Sequence, residues 1–142
     1  MITEEIISLN TQTYDILKGY DKWEVELSEE KNFVFLTYNE NSYLIVVNSD
    51  IENMPADLVV AAILNYPENI NQPLEQINEC NNKFDSVKIA LWPDSQIVFS
   101  TCISLDFLPK DKLIQFVQWS ISEIGEIIGK ALDNHMLDCL ED

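Results

Sequence analysis

Residues 32–48 constrain the fold most. Two runs rich in β-branched and aromatic residues, Asn32–Asn39 and Ser42–Asn48, meet through the polar stretch Asn39-Glu40-Asn41-Ser42, which suits a hairpin turn. A hairpin with one wet face alternates apolar and polar residues. Here the alternation fails. Phe33, Phe35, Tyr43 and Ile45 occupy one parity, and Val34, Leu36, Leu44 and Val46 the other. Both faces of this hairpin are apolar, so each needs a cover: a helix of the same chain, a second copy, or another protein. Large apolar patches left exposed mark interaction sites.

The remaining pattern supplies candidate covers. Thr3 can cap a helix over residues 3–18, with Glu4 and Glu5 in its first turn, Ile2, Ile6, Leu9, Ile16 and Leu17 at helical spacing, and Gly19 as a left-handed stop. Trp23, Val25 and Leu27 alternate with Glu24, Glu26 and Ser28 as a strand with one wet face. Asp50–Ala56 reads as a polar loop. Leu58–Leu64 mixes β-branched residues with Ala61 and Ala62 and is assigned as a strand. After the turn-rich segment Asn65–Pro73, a short helix is expected over 73–83. The hairpin Val87–Leu91 and Ile97–Ser104 follows, turning at Trp92-Pro93-Asp94-Ser95-Gln96. A long helix then starts near Pro109 and carries an apolar stripe from Leu113 to Leu132, extending to about Leu140. The 142 residues form one domain without repeats or linkers. The expected class is α+β, an antiparallel sheet flanked by helices in the order α-β-β-β-(β)-α-β-β-α.

Charge narrows the partners. The chain has 25 acidic residues against 8 basic ones, a net charge of -17, and no arginine. Phosphate backbones are gripped by Lys and Arg, so nucleic acid is excluded as a partner, and an anionic membrane surface is disfavoured for the same reason. Three widely spaced cysteines, Cys80, Cys102 and Cys139, suit reduced thiols rather than a disulfide framework. The first residues lack the basic stretch of a signal peptide, and the longest apolar run, Leu58–Leu64, is far short of the ~20 residues that span a bilayer. A cytoplasmic location is expected.

Chemistry-bearing motifs are sparse. No glycine-rich phosphate loop and no Cys-x-x-Cys is present. His135 and Cys139 would share a helix face if the last helix reached them. Glu24 and Glu26 form a carboxylate pair on one strand face. Both readings are weaker than the structural alternatives, a frayed helix end and a wet strand face. Trp23, Trp92 and Trp119 are expected mainly in the core, with Trp92 at a turn as an interaction residue. Gly125 and Gly129 lie four apart in a helix, where each glycine costs about 1 kcal/mol relative to alanine. A close backbone approach would offset that cost, either by helix-on-sheet packing within the chain or by contact with a second subunit or partner.

The order of elements, with the segment Pro73-Leu74-Glu75-Gln76-Ile77-Asn78-Glu79-Cys80-Asn81-Asn82-Lys83-Phe84, the hairpin Val87–Leu105 and Leu113-Ile114-Gln115-Phe116-Val117, resembles the YbjN family of bacterial sensory transduction regulators over residues 22–130. That resemblance implies a type III secretion chaperone-like α+β fold, often dimeric, that binds proteins, with no catalytic residues to carry over. The expectation is a non-catalytic protein-binding adaptor or chaperone-like regulator that needs no cofactor or metal and acts as a homodimer. Its interaction residues would be Phe33, Phe35, Tyr43, Ile45, Val46, Trp92, Gly125 and Gly129. A small-ligand sensor with an apolar pocket between the sheet and the C-terminal helix is the alternative.

Overall fold

Thr3 opens the first helix as read from the sequence. Its Oγ1 accepts a hydrogen bond from the Ile6 N–H at 3.2 Å, and Glu4 and Glu5 occupy the first turn of α1 (Glu4–Leu17). The helix stops differently from the expectation. Gly19 is not left-handed; no described glycine has a positive φ. Instead the N–H groups of Lys18, Gly19 and Tyr20 bond the carbonyls of Tyr14, Ile16 and Leu17, and the indole Nε1–H of Trp23 adds a second bond to the buried Leu17 carbonyl at 2.7 Å. Gly19 serves by its size, since a Cβ there would sit 3.2 Å from the Ile16 carbonyl oxygen.

A computed structural model describes residues 3–48, 56–69 and 71–140, so most of the loop expected at Asp50–Ala56 lies outside the described residues. The strands are β1 (Glu24–Leu27), β2 (Val34–Tyr38), β3 (Asn41–Asn48) and β4 (Asp57–Asn65), followed by α2 (Leu74–Lys83), β5 (Lys88–Trp92), β6 (Gln96–Ser104) and α3 (Leu113–Asp133). The segment 58–64 is a strand; β-branched Val59, Val60 and Ile63 outweigh the two alanines. The fold is α+β. One six-stranded sheet runs in the order β1-β2-β3-β4-β6-β5, and the pairs β1–β2, β2–β3 and β5–β6 are antiparallel.

The chain divides into two compact units, Met1–Val60 with Cys102–Trp119, and Ala61–Thr101 with Ser120–Asp142. In the first unit α1 packs against β1, β2 and β3. Leu17, Val34, Leu36, Ile45, Val47, Leu58, Val60 and Val117 are fully buried there. Asn10, also fully buried on the inner face of α1, takes both backbone groups of Val47: Oδ1 accepts from its N–H at 3.0 Å and Nδ2 donates to its carbonyl at 3.1 Å. In the second unit α2 packs against β5. Asn81 repeats the device on Ile89, with both bonds at 2.8 Å. β5 is the last strand in the sheet, and an edge strand needs its outward backbone groups occupied or shielded. Thr101 on β6 and Ser120 on α3 join through their hydroxyls at 2.8 Å in a buried contact.

The units differ in how their strands are covered. In the second, Ala61-Ala62 and Ile97-Val98-Phe99 are buried at consecutive positions, so both faces of those strands are shielded. In the first, β2 alternates strictly and β3 nearly so, which leaves one face open.

The last helix ends at Asp133 rather than near Leu140. His135 adopts φ 53°, its N–H bonds the Leu132 carbonyl at 3.1 Å, and the Met136 N–H bonds the Ala131 carbonyl at 2.8 Å. These paired bonds form a Schellman stop, whose left-handed position normally holds glycine. A residue with a Cβ there costs roughly 1–2 kcal/mol. His135→Gly is therefore expected to stabilise the chain by about 1 kcal/mol in urea denaturation.

Candidate functional site

Two turn residues decide which side chains face outward. Asn39 and Glu40 both have positive φ, 49° and 66°, as a two-residue type I′ hairpin turn requires. Tyr38 therefore pairs with Asn41, Leu36 with Tyr43, Phe35 with Leu44 and Val34 with Ile45. Residues directly opposite share a face. Odd-numbered positions of β2 thus join even-numbered positions of β3.

This corrects the grouping expected from parity. Tyr43 and Ile45 do not accompany Phe33 and Phe35. They lie in the core with Val34 and Leu36, Ile45 fully buried and Tyr43 8% exposed. Burial first, and the neighbouring Tyr38 second, push the Tyr43 phenol above its ordinary value of 10.0. Neither residue is available to a partner.

The outward face carries Phe33, Phe35, Leu44 and Val46. Phe35 is 47% exposed, and the other three are half-buried. Phe33 and Phe35 meet edge to face, with ring centroids 4.8 Å apart and planes at 86°. On β1, Glu26 stands opposite Phe35 and Glu24 opposite Thr37, so both exposed carboxylates flank the aromatic pair on the same face. Neither has an ion-pair partner among the described residues. Sequence reading missed Leu44 as a member of this face, although any turn with an even number of residues between the two strands sets it there.

The other candidates are placed as follows. Trp92 is exposed at the end of β5, and Trp119 is exposed on α3, where its ring stands 5.9 Å from that of Phe116. Trp23 is a core residue, held by its bond to Leu17. Gly125 is exposed and Gly129 half-buried. A Cβ added at either would meet nothing within 4 Å, so packing inside the chain does not explain these glycines.

His135 sits in the turn after α3, and Cys139 is buried in the short 3-10 helix Asp138–Leu140, so the helical spacing that would have aligned them is absent. The N–H of Asp138 and its carboxylate bond the Gln76 side chain, each at 3.1 Å. Burial pushes the thiols of Cys80 and Cys139 above their ordinary value of 9.0. Glu79 adds to the effect at Cys80 and Asp138 at Cys139. These thiols stay protonated and poorly nucleophilic near neutral pH. Three acidic groups raised on folding, Cys80, Cys139 and Tyr43, mean that the folded state holds protons which the unfolded chain gives up first. Their contribution is complete below pH 9 and is lost as pH rises through the folded values. Urea midpoints are expected to be insensitive to these groups from pH 7 to 8.5 and to fall above pH 9, which a pH series of denaturation curves checks.

No group of three or more His, Cys, Asp or Glu among the described residues is placed to hold a metal ion. Likewise no described helix is long and apolar enough to cross a membrane. A groove of about 160 Å³ lies between α1 and the segment leading into α3, lined by Leu9, Ile16, Leu105, Leu108 and Leu113 with Gln12, Thr13 and Lys110. Pockets for drug-sized ligands run from about 300 to 1,000 Å³. No family model, curated protein or solved structure matches the chain.

Proposed function

We propose that this chain is a non-catalytic, chaperone-like adaptor of the cytoplasm whose open β1–β3 face receives an amphipathic, cationic helix of a partner protein. The observation that carries this reading is the outward set Phe33, Phe35, Leu44 and Val46, left open on strands whose other face is packed. A sheet face of this kind is completed by a further layer, and a helix with one apolar stripe supplies it. Charge selects which helix. Glu24 and Glu26 border the patch without ion-pair partners, and the chain as a whole carries -17. Lysines or arginines flanking the apolar stripe of the partner would meet them and speed the encounter. A second copy would bring like charge to the same border. The resemblance to the YbjN family, with its chaperone-like fold, supports the same role.

The flanking charges can be tested with a synthetic Leu/Lys peptide of about 18 residues, long enough to be helical. Fluorescence anisotropy is expected to show binding by the wild-type chain, and binding at least about tenfold weaker by Glu24→Lys/Glu26→Lys. Equal affinities would show that these carboxylates do not border the site.

A further inference from the structure

Phe107 is 79% exposed, the most exposed of the large apolar side chains among the described residues. It lies in the 3-10 turn Leu105–Phe107, immediately beside the apolar groove that Leu105 and Leu108 help to line. In a 3-10 turn, residues three apart share a side, so Leu105 and Leu108 face the groove together while Phe107 projects elsewhere. Yet the sizes match. A cavity of about 150 Å³ accepts a benzene ring, and this groove measures about 160 Å³. A knob and a hole therefore sit within a few residues of each other on one unit.

We propose that the chain forms a two-fold symmetric dimer in which Phe107 of each copy fills the groove between α1 and the α3 lead-in of the other. An isologous interface needs a self-complementary patch, in which each residue meets its counterpart's partner in both directions. The local charges satisfy that condition. Asp106 adjoins the knob, Lys110 lines the hole, both are exposed, and neither has an ion-pair partner among the described residues. Across the two-fold axis each Asp106 meets a Lys110, giving two reciprocal pairs. Repulsion between two bodies of charge -17 opposes association. At physiological salt the screening length is about 8 Å, so that repulsion is damped while the contact pairs persist. Loss of this dimer leaves the open face of β1–β3 unchanged.

Sedimentation velocity over a micromolar concentration series tests the dimer. The wild-type chain is expected to sediment as a dimer, and Phe107→Ser as a monomer with unchanged circular dichroism. Asp106→Lys sets two lysines against each other, and Lys110→Asp two aspartates; each is expected to weaken the dimer by about tenfold. Mixing the two single variants restores opposite charges at both contacts and should restore dimerisation, as should the double variant Asp106→Lys/Lys110→Asp. A monomeric wild type, a Phe107→Ser chain that still dimerises, or a mixture no tighter than its components would each overturn the proposal.

Discussion

Replacing Asn10 with leucine is expected to cost about 2–5 kcal/mol of stability, although leucine is the better helix former and the site is fully buried. Val47 lies beyond the last β2–β3 pair, Val34 with Ile45. Its N–H and carbonyl find their partner in the Asn10 amide instead, at 3.0 and 3.1 Å. The same amide also donates to the Ile6 carbonyl at 2.9 Å. Leucine offers no donor or acceptor, so two buried backbone groups lose their bonds at once, at about 1–3 kcal/mol each. Domains of this kind have only about 5–15 kcal/mol in total, so the urea midpoint should fall steeply. Aspartate is no remedy: it can still accept from the Val47 N–H but turns a negative oxygen toward the carbonyls of Val47 and Ile6. Asn81→Leu removes the same pair of bonds at Ile89, yet there the contact is only partly buried and water can reach the freed groups. A smaller loss, about 1–2 kcal/mol, is expected. Equal effects at the two sites would show that burial is not what sets the cost.

The second large contrast lies within one hairpin. Tyr43→Asp places a carboxylate at a site 8% exposed and packed beside Leu36, and is expected to cost more than about 4 kcal/mol or to prevent folding. Phe35→Asp puts the same group on the outward face, at a position already 47% exposed; it loses the edge-to-face contact with Phe33 and faces Glu26 across the ladder, so it is expected to cost about 1–2 kcal/mol and to leave the chain folded. Circular dichroism with urea titration checks both. Parity counting alone puts Phe35 and Tyr43 on one face, so the pair also tests the register.

That register shows what the sequence made legible and what it did not. The element order follows from periodicity and turn residues, because β-branched runs, the Thr3 cap and the apolar stripe of α3 are local signals. The apolar character of both hairpin faces was also legible. Which residues share a face depended on whether the turn holds an even or an odd number of residues: turns of two or four alike set odd positions of β2 beside even positions of β3, and only an odd-membered turn would group Phe35 with Tyr43. The exact pairing rests on Glu40 at φ 66°, where propensity argues against the conformation adopted. The same holds at the helix ends. Gly19 was the natural left-handed stop, but a tryptophan six residues from Leu17 closes α1, while histidine takes the left-handed place after α3. At α1 a side-chain bond from Trp23 overrides the local preference; after α3 the paired main-chain bonds to Leu132 and Ala131 do. Asn10 and Asn81 left a trace in the sequence, since asparagine is a poor residue for a helix interior; their targets, Val47 and Ile89, lie 37 and 8 residues away and carry no motif. The exposure of Phe107, and the open space around Gly125, are properties of packing that no periodicity encodes.

The outward face of β1–β3 is most directly tested by titrating the Leu/Lys helix against Phe35→Asp, with anisotropy as the readout. The substitution adds a negative charge while removing an apolar anchor. Binding that is only electrostatic would stay the same or tighten. If Phe33, Phe35, Leu44 and Val46 form the docking surface, affinity should fall at least about tenfold in a chain that remains folded. Undiminished binding by folded Phe35→Asp would contradict the assignment of this face to a partner helix.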